Sequence, residues 1–228
     1  MAELLKHKLK TVAPFLIFGV IYMLAFRYIE GLQAPHYLQM EIPFDHQIPF
    51  VPEFIIAYLG WFAWIPFVCA YALFADEAVY RKASRILMLG MGFFVIFSLL
   101  FPTKLHLRPE TVAETNIFCT MVKNIYKADT PTNVFPSIHV YNTIVLLYAI
   151  FIGESKLFRN IIFRIFAVLV SASICFSTVF LKQHSVLDVI GAFAMLLVIV
   201  VLYDAFKDRA GRFYHSIIRK PSTETEHK

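Results

Sequence analysis

The sequence predicts an all-α polytopic membrane protein, a bundle of six transmembrane helices, and three observations carry that expectation. The 228 residues are 59% hydrophobic and only 16% charged, with 24 Phe, whereas an ordinary soluble domain is about 45–50% apolar and about 25% charged. Mean hydropathy is +0.66. Long apolar runs recur at about residues 11–29, 54–75, 84–101, 140–152, 161–181 and 185–206, most of them near the ~20 residues that a helix needs to cross a bilayer. The third observation is that basic residues gather in alternate connecting segments.

The first run follows Lys6, Lys8 and Lys10 and ends in Arg27-Tyr28-Ile29-Glu30 rather than in a small-residue cleavage site, which predicts a retained span in place of a removed signal peptide. Residues 1–10 are expected to be a basic cytoplasmic N-terminus, 11–206 a six-span membrane domain and 207–228 a basic cytoplasmic tail. With six spans, fifteen of the 21 basic residues fall on the side of the N-terminus. Lys and Arg collect on the cytoplasmic side of membrane proteins, so both termini are expected inside the cell membrane. Cys69, Cys119 and Cys175 are odd in number and two lie in apolar runs, which indicates no disulfide framework.

The segment 31–53 has no Lys or Arg, and Pro35, Pro43, Pro49 and Pro52 exclude a regular helix through it. It is expected on the outer surface, where Tyr37, Phe44, Ile48 and Phe50 would sit at headgroup level. Tyr58, Trp61 and Trp64 in the second run are expected to be an interfacial belt and helix packing. The fourth run is short by itself and reaches a usable length only if its helix starts at Ser137 or Ile138. The final residues PSTETEHK are expected to be a disordered polar tail.

Chemistry concentrates in three places. Segment 102–136 is long for a helix connection, and long ordered loops are more often functional than idle. In it, Arg108 precedes Pro109 where the third run leaves the membrane. Its guanidinium suits bidentate phosphate contact and equally suits anchoring among lipid headgroups. At Pro136-Ser137-Ile138-His139, Ser137 is a plausible N-cap for the fourth helix, whose positive dipole end would favour an anion, and its hydroxyl is a second reading of the same residue. In the stretch Ser177–Gly191, His184 and Asp188 are four apart, a spacing that stacks two side chains on one helix face. That pair reads as an oriented nucleophilic histidine, as a surface pair, or as half of a metal site.

Under a six-span topology these three places fall at one membrane face, and their residues resemble the type 2 phosphatidic acid phosphatase family, which belongs with the vanadium-dependent haloperoxidases. That family's motifs are K-x6-R-P, P-S-G-H and S-R-x5-H-x3-D. Arg108-Pro109 matches the end of the first, Pro136, Ser137 and His139 match the second, and Ser177, His184 and Asp188 match the third with its spacing. The likeness covers about residues 40–206, and Ile48-Pro-Phe-Val-Pro-Glu-Phe54 is similar to bacterial members. The resemblance implies a phosphatidic acid phosphatase type 2-like six-helix bundle and a membrane lipid-phosphate phosphatase. Its substrate would be phosphatidic acid or a polyprenyl phosphate or diphosphate.

By the same resemblance His184 would be the nucleophile, Asp188 its orienting partner and His139 the acid and base, with Arg108 and Ser137 on the phosphate. Three positions depart from the motifs. Phe101 stands where the first lysine would be, leaving Lys104 as its replacement. Thr178 stands at the arginine of the third motif, leaving Lys182, and Ile138 replaces the glycine. Similar departures occur in relatives that transfer lipid headgroups, such as inositol phosphorylceramide and sphingomyelin synthases, which makes headgroup transfer the alternative function; a non-catalytic lipid transporter whose polar groups bind an anionic headgroup is a third reading. The expected partners are a lipid phosphate and the surrounding membrane lipids, with no nucleic acid. No cofactor and no metal are implied, although Asp45, Glu110 and Glu114 are the carboxylates from which a metal site would be completed.

Overall fold

A computed structural model describes residues 1–112 and 116–218, and it is helical through most of that length. Helix α1 covers Ala2–Gly31, α2 Ile55–Ala75, α3 Glu77–Leu100, α4 Ile117–Ala128, α5 Ile138–Ile152, α6 Lys156–Arg159, α7 Ile161–Phe180 and α8 Val186–Ile218. Two-residue strands β1 (Leu38–Gln39) and β2 (Thr103–Lys104) pair in parallel, and 3-10 turns occupy Pro43–His46 and Pro52–Phe54. Among the described residues, five helices are long and apolar enough to cross a membrane: α1, α2, α3, α7 and α8. Their outward faces carry large hydrophobic side chains such as Leu16, Phe62, Ile96, Ile162 and Leu197, as a lipid-facing surface requires.

The fourth apolar run forms α5, which starts at Ile138 and has 15 residues. At 1.5 Å per residue it spans about 22 Å, less than the ~30 Å of a hydrocarbon core. Its length is set by its position. It is the inner helix, packed against α2, α3, α7 and α8, with Val140, Tyr141, Val145 and Ile150 fully enclosed. The Tyr141 hydroxyl donates to the Ile86 carbonyl at 2.7 Å, and its ring fills the space that a side chain at Gly90 would need.

Two stretches beside the apolar runs are helical. Residues 2–10 form the first turns of α1. Lys8 donates to the Leu73 carbonyl and to Glu77, each at 2.7 Å, and Arg81 donates to the same carboxylate, so the basic residues here pin α1 to α3. Residues 207–218 continue α8, while residues 219–228, the polar tail among them, lie outside the described residues.

Segment 102–136 also holds a helix that composition alone did not announce. Helix α4 begins at the N-cap Asn116, whose side chain accepts from the Cys119 amide at 2.9 Å. Its apolar face (Phe118, Met121, Val122, Ile125 and Tyr126) packs against Ile55, Tyr58 and Leu181.

Candidate active site

The site forms at the end of the bundle away from Glu77, where α5 and α8 begin and α7 ends. Helix α7 stops in a Schellman turn: the Lys182 amide donates to the Val179 carbonyl at 3.0 Å and the Gln183 amide to the Thr178 carbonyl at 2.9 Å. The turn needs a left-handed residue, and Lys182 takes it with φ 53°, at a cost of about 1–2 kcal/mol for a residue with a Cβ. Its ammonium offsets that strain by donating to the Asp45 and Ile48 carbonyls at 2.7 and 2.6 Å. Lys182 therefore clamps the 42–51 loop onto the α7–α8 turn. Asp45 completes the clamp by accepting from the Ile42 and Val186 amides, both at 2.8 Å.

His184 lies in this turn, ahead of α8, so the four-residue spacing to Asp188 does not act through a helix face. A capping box does the work instead. The Ser185 hydroxyl accepts from the Asp188 amide at 3.1 Å, and the Asp188 carboxylate accepts from the Ser185 amide at 2.8 Å. The same carboxylate oxygen stands 3.4 Å from His184 Nδ1, long for a hydrogen bond because the oxygen is shared. Ser185 and Asp188 are fully buried and His184 is 7% exposed.

His139 comes from the first turn of α5. Ser137 caps that helix, its hydroxyl accepting from the Val140 amide at 3.3 Å, while its own amide donates to the Asp188 carbonyl at 3.1 Å. Those two bonds dock the starts of α5 and α8 together. They bring the His139 and His184 rings to 5.8 Å between centroids. Tyr58 and Trp61 of α2 each lie 4.7 Å from the His139 ring. These two aromatics thus pack on a site histidine, whereas Trp64 packs with Phe67, Phe163 and Phe166.

Arg108 reaches the site from the long loop. Its guanidinium donates to the carbonyls of Asp129 at 2.7 Å, Thr130 at 3.2 Å and Tyr126 at 3.4 Å, and to Gln183 Oε1, and it stacks 4.5 Å from the Tyr126 ring centre. A planar fork is suited to gathering several carbonyls in this way. Arg108 Nε and Gln183 Nε2 are buried without a protein partner among the described residues; Gln183 borders the cavity, whereas Arg108 stands behind it.

A cavity of about 390 Å³ opens on both histidines and on Gln183, within the usual size range of small-molecule sites. Its wall includes His139, His184, Gln183, Asn142, Asp129 and Thr130 at one end, and residues of α1, α2 and α3 at the other. Asp129 is the residue that sequence reading passed over. Burial pushes its carboxyl above the usual carboxylate range against the opposing pull of His184 and Arg108. No spacing rule points to it, since Asp129 reaches the site only through the loop that Arg108 folds.

The remaining sequence candidates lie apart from the cavity. The Ser177 hydroxyl donates to the Ile174 carbonyl at 2.6 Å within α7. Thr178 likewise donates to the Cys175 carbonyl at 2.8 Å. Lys104 lies in β2 with its ammonium 5.9 Å from the Tyr37 ring centre. Phe101 is about half exposed. Among the described residues no three His, Cys, Asp or Glu side chains group as metal ligands, and Glu114 lies outside the described residues.

The site therefore combines a carboxylate-backed histidine, a second histidine and an arginine fork at one end of a helical membrane bundle. No curated protein and no solved structure matches the chain. The model of the PAP2 superfamily matches residues 83–210, more than half of the chain, from α3 through α8; the chain belongs to that superfamily, whose members are phosphatases.

Proposed function

We propose that the protein is a membrane lipid-phosphate phosphatase that works through a phosphohistidine on His184. The observation that carries this reading is the His139–His184 pair with Asp188 behind it, opening on a cavity that also reaches Arg108's partner Gln183. Asp188 holds Nδ1, which leaves Nε2 of His184 for the phosphorus atom. As the P–N bond forms, the ester P–O bond breaks and His139 gives a proton to the departing alkoxide. His139 then takes a proton from water, whose oxygen attacks phosphorus and breaks the P–N bond, releasing phosphate and restoring both histidines.

Gln183, held from behind by Arg108, is the side-chain donor best sited for the phosphate oxygens, aided by the N-terminus of α5, whose Ile138 and His139 line the cavity. Ser137 contributes as the cap of that helix. Lys182, Lys104 and Ser177 act in this account through the framework rather than through the phosphate. The mechanism needs no metal. Helix α5 serves as a sixth crossing element, shortened because the loops 31–54 and 101–137 cover its start. The basic residues about Glu77 then face the cytoplasm, and the active site faces outward in a multi-pass cell-membrane protein.

One observation favours a second reading, transfer of the headgroup to a lipid alcohol in place of water. Asp129 sets a carboxyl on the cavity wall near His184, where it suits proton removal from an acceptor hydroxyl. The test is phosphate release by purified protein from a panel of lipid phosphates and diphosphates, with chelator present, beside His184→Ala and His139→Ala. Release lost in both variants and unaffected by chelator supports the phosphatase. Product formed only when a lipid alcohol is added supports transfer.

A further inference from the structure

The first helix ends in Arg27-Tyr28-Ile29-Glu30, whose last carboxylate takes no part in the chemistry at His184. Ile29 is buried and Glu30 half-buried, so the end of α1 is packed against the molecule. Glu30 meets the loop ahead of α5, one hundred residues further along the chain. Its Oε2 accepts from the Thr130 amide at 3.3 Å and from the Thr130 hydroxyl, and its Oε1 accepts from Asn133 Nδ2 at 3.4 Å. A carboxylate is a stronger acceptor for such bonds than a neutral oxygen.

Thr130 is gripped from the opposite side as well. Its carbonyl accepts from Arg108 Nη2 at 3.2 Å, and the same nitrogen donates to Gln183 Oε1. A continuous chain of hydrogen bonds therefore runs from Glu30 through Thr130 and Arg108 to Gln183, each member polarising the next. It ends at Gln183 Nε2, which is buried without a protein partner among the described residues, on a side chain that borders the cavity. The far end of the loop is held separately by β2: the Asn133 amide donates to the Thr103 carbonyl at 2.7 Å and the Val134 amide to the Thr103 hydroxyl at 2.9 Å. Thr130 itself is exposed. Without Glu30 its amide and hydroxyl would turn to water, and its carbonyl would lose a fixed direction.

We propose that Glu30 is a positioning residue for the reaction: by holding Thr130 it aims Arg108, and Arg108 orients the Gln183 amide so that Nε2 meets the phosphate beside His184. The identity of that bound group rests on the phosphatase reading. Glu30 touches neither the histidines nor the substrate and acts through the loop. It also lies outside residues 83–210, the part that matches the superfamily, so helix α1 finishes a donor arrangement that the matched segment begins. What the loop needs from Glu30 is acceptor oxygen in the right place. Asn133 Oδ1 is buried without a partner, so Glu30→Gln would keep an oxygen for Thr130 and offer its amide to Asn133 after the Asn133 amide turns over.

The experiment measures kcat and KM for dioctanoyl phosphatidic acid in detergent micelles, for wild type, Glu30→Ala, Glu30→Gln, Gln183→Ala and the double variant Glu30→Ala with Gln183→Ala. Glu30→Ala should lower kcat/KM about tenfold or more, and Glu30→Gln should stay within about threefold of wild type. On the Gln183→Ala background Glu30→Ala should cost less than about twofold, because both act through one donor. Glu77→Gln is the control, since it weakens the other anchor of α1, at Lys8 and Arg81; it should lower thermal stability and keep kcat/KM within about twofold. Losses that multiply in the double variant, a Glu30→Gln as impaired as Glu30→Ala, or an equal loss in Glu77→Gln would each overturn the proposal. Glu30→Asp, one methylene short of Thr130, takes the place of Glu30→Ala if that variant does not fold. Hydrogen exchange read by mass spectrometry is independent of turnover. Glu30→Ala should speed exchange in residues 129–133 and in the turn 181–185, with Glu30→Gln close to wild type; faster exchange confined to the end of α1 would overturn the proposal. Absence of phosphate release by wild type would count against the phosphatase, and the exchange measurement would then decide the positioning by itself.

Discussion

Replacing Asp188 separates two functions that one carboxylate performs. It accepts from the buried Ser185 amide at 2.8 Å and faces His184 Nδ1 at 3.4 Å. Asp188→Asn keeps an acceptor oxygen for the amide but removes the charge. At 3.4 Å and an effective dielectric constant of about 20, a carboxylate stabilises a positive imidazole ring by about 5 kcal/mol. If that stabilisation develops only in the transition state, its loss slows phosphate release a few thousandfold. The fold should hold, with unfolding free energy within about 1 kcal/mol of wild type, because the capping box persists. Asp188→Ala removes both functions. It should lose the same activity and a further ~1–3 kcal/mol of stability, the cost of leaving the Ser185 amide buried without a partner. Purified variants would be compared by phosphate release and by thermal unfolding in detergent. If Asp188→Asn kept activity within tenfold of wild type, or unfolded as readily as Asp188→Ala, the division of labour would be refuted.

Three further outcomes are expected. Burial raises the Asp129 carboxyl, so its neutral form survives above the usual carboxylate range. Its stabilising contribution is full below the unfolded value and is lost as pH rises through the folded one, when its charge also begins to repel phosphate. Asp129→Asn should therefore flatten the alkaline decline of kcat/KM that this charge causes, measured across a pH series. Lys182→Met loses two carbonyl bonds and should cost about 2–3 kcal/mol of thermal stability, while KM for a short-chain phosphate stays near wild type; a large KM increase would instead place Lys182 on the substrate. Gly90→Ala would set a Cβ 2.1 Å from the Tyr141 ring, and the forced shift at the inner helix should cost at least about 3 kcal/mol in unfolding measurements.

Much of this architecture is written in local pattern. Apolar run length located the five long helices and the shorter α5, and Ser137 read as a cap because a serine before an apolar helical run has few other uses. The nearness of His184 to Asp188 was legible for the wrong reason. The spacing suggests a helix face, whereas Ser185 makes the turn and the Ser-x-x-Asp pattern at 185–188 was its available signal. Helix α4 was missed although its signal was present: apolar pairs recur at 117–118, 121–122 and 125–126 after Asn116. Non-local features were not. Asp129, Tyr58 and Trp61 enter the site by tertiary packing, and Lys182 turns from a candidate phosphate ligand into a clamp because the carbonyls it binds lie more than 130 residues away.

The central claim, covalent catalysis by His184, is tested most directly by rapid acid-free quenching of the enzyme with a phosphate-labelled lipid, followed by mass spectrometry of the digested protein. The account predicts an acid-labile phosphoryl group on His184 in wild type and none in His184→Ala. Label on another residue, or undiminished phosphate release by His184→Ala, would contradict it.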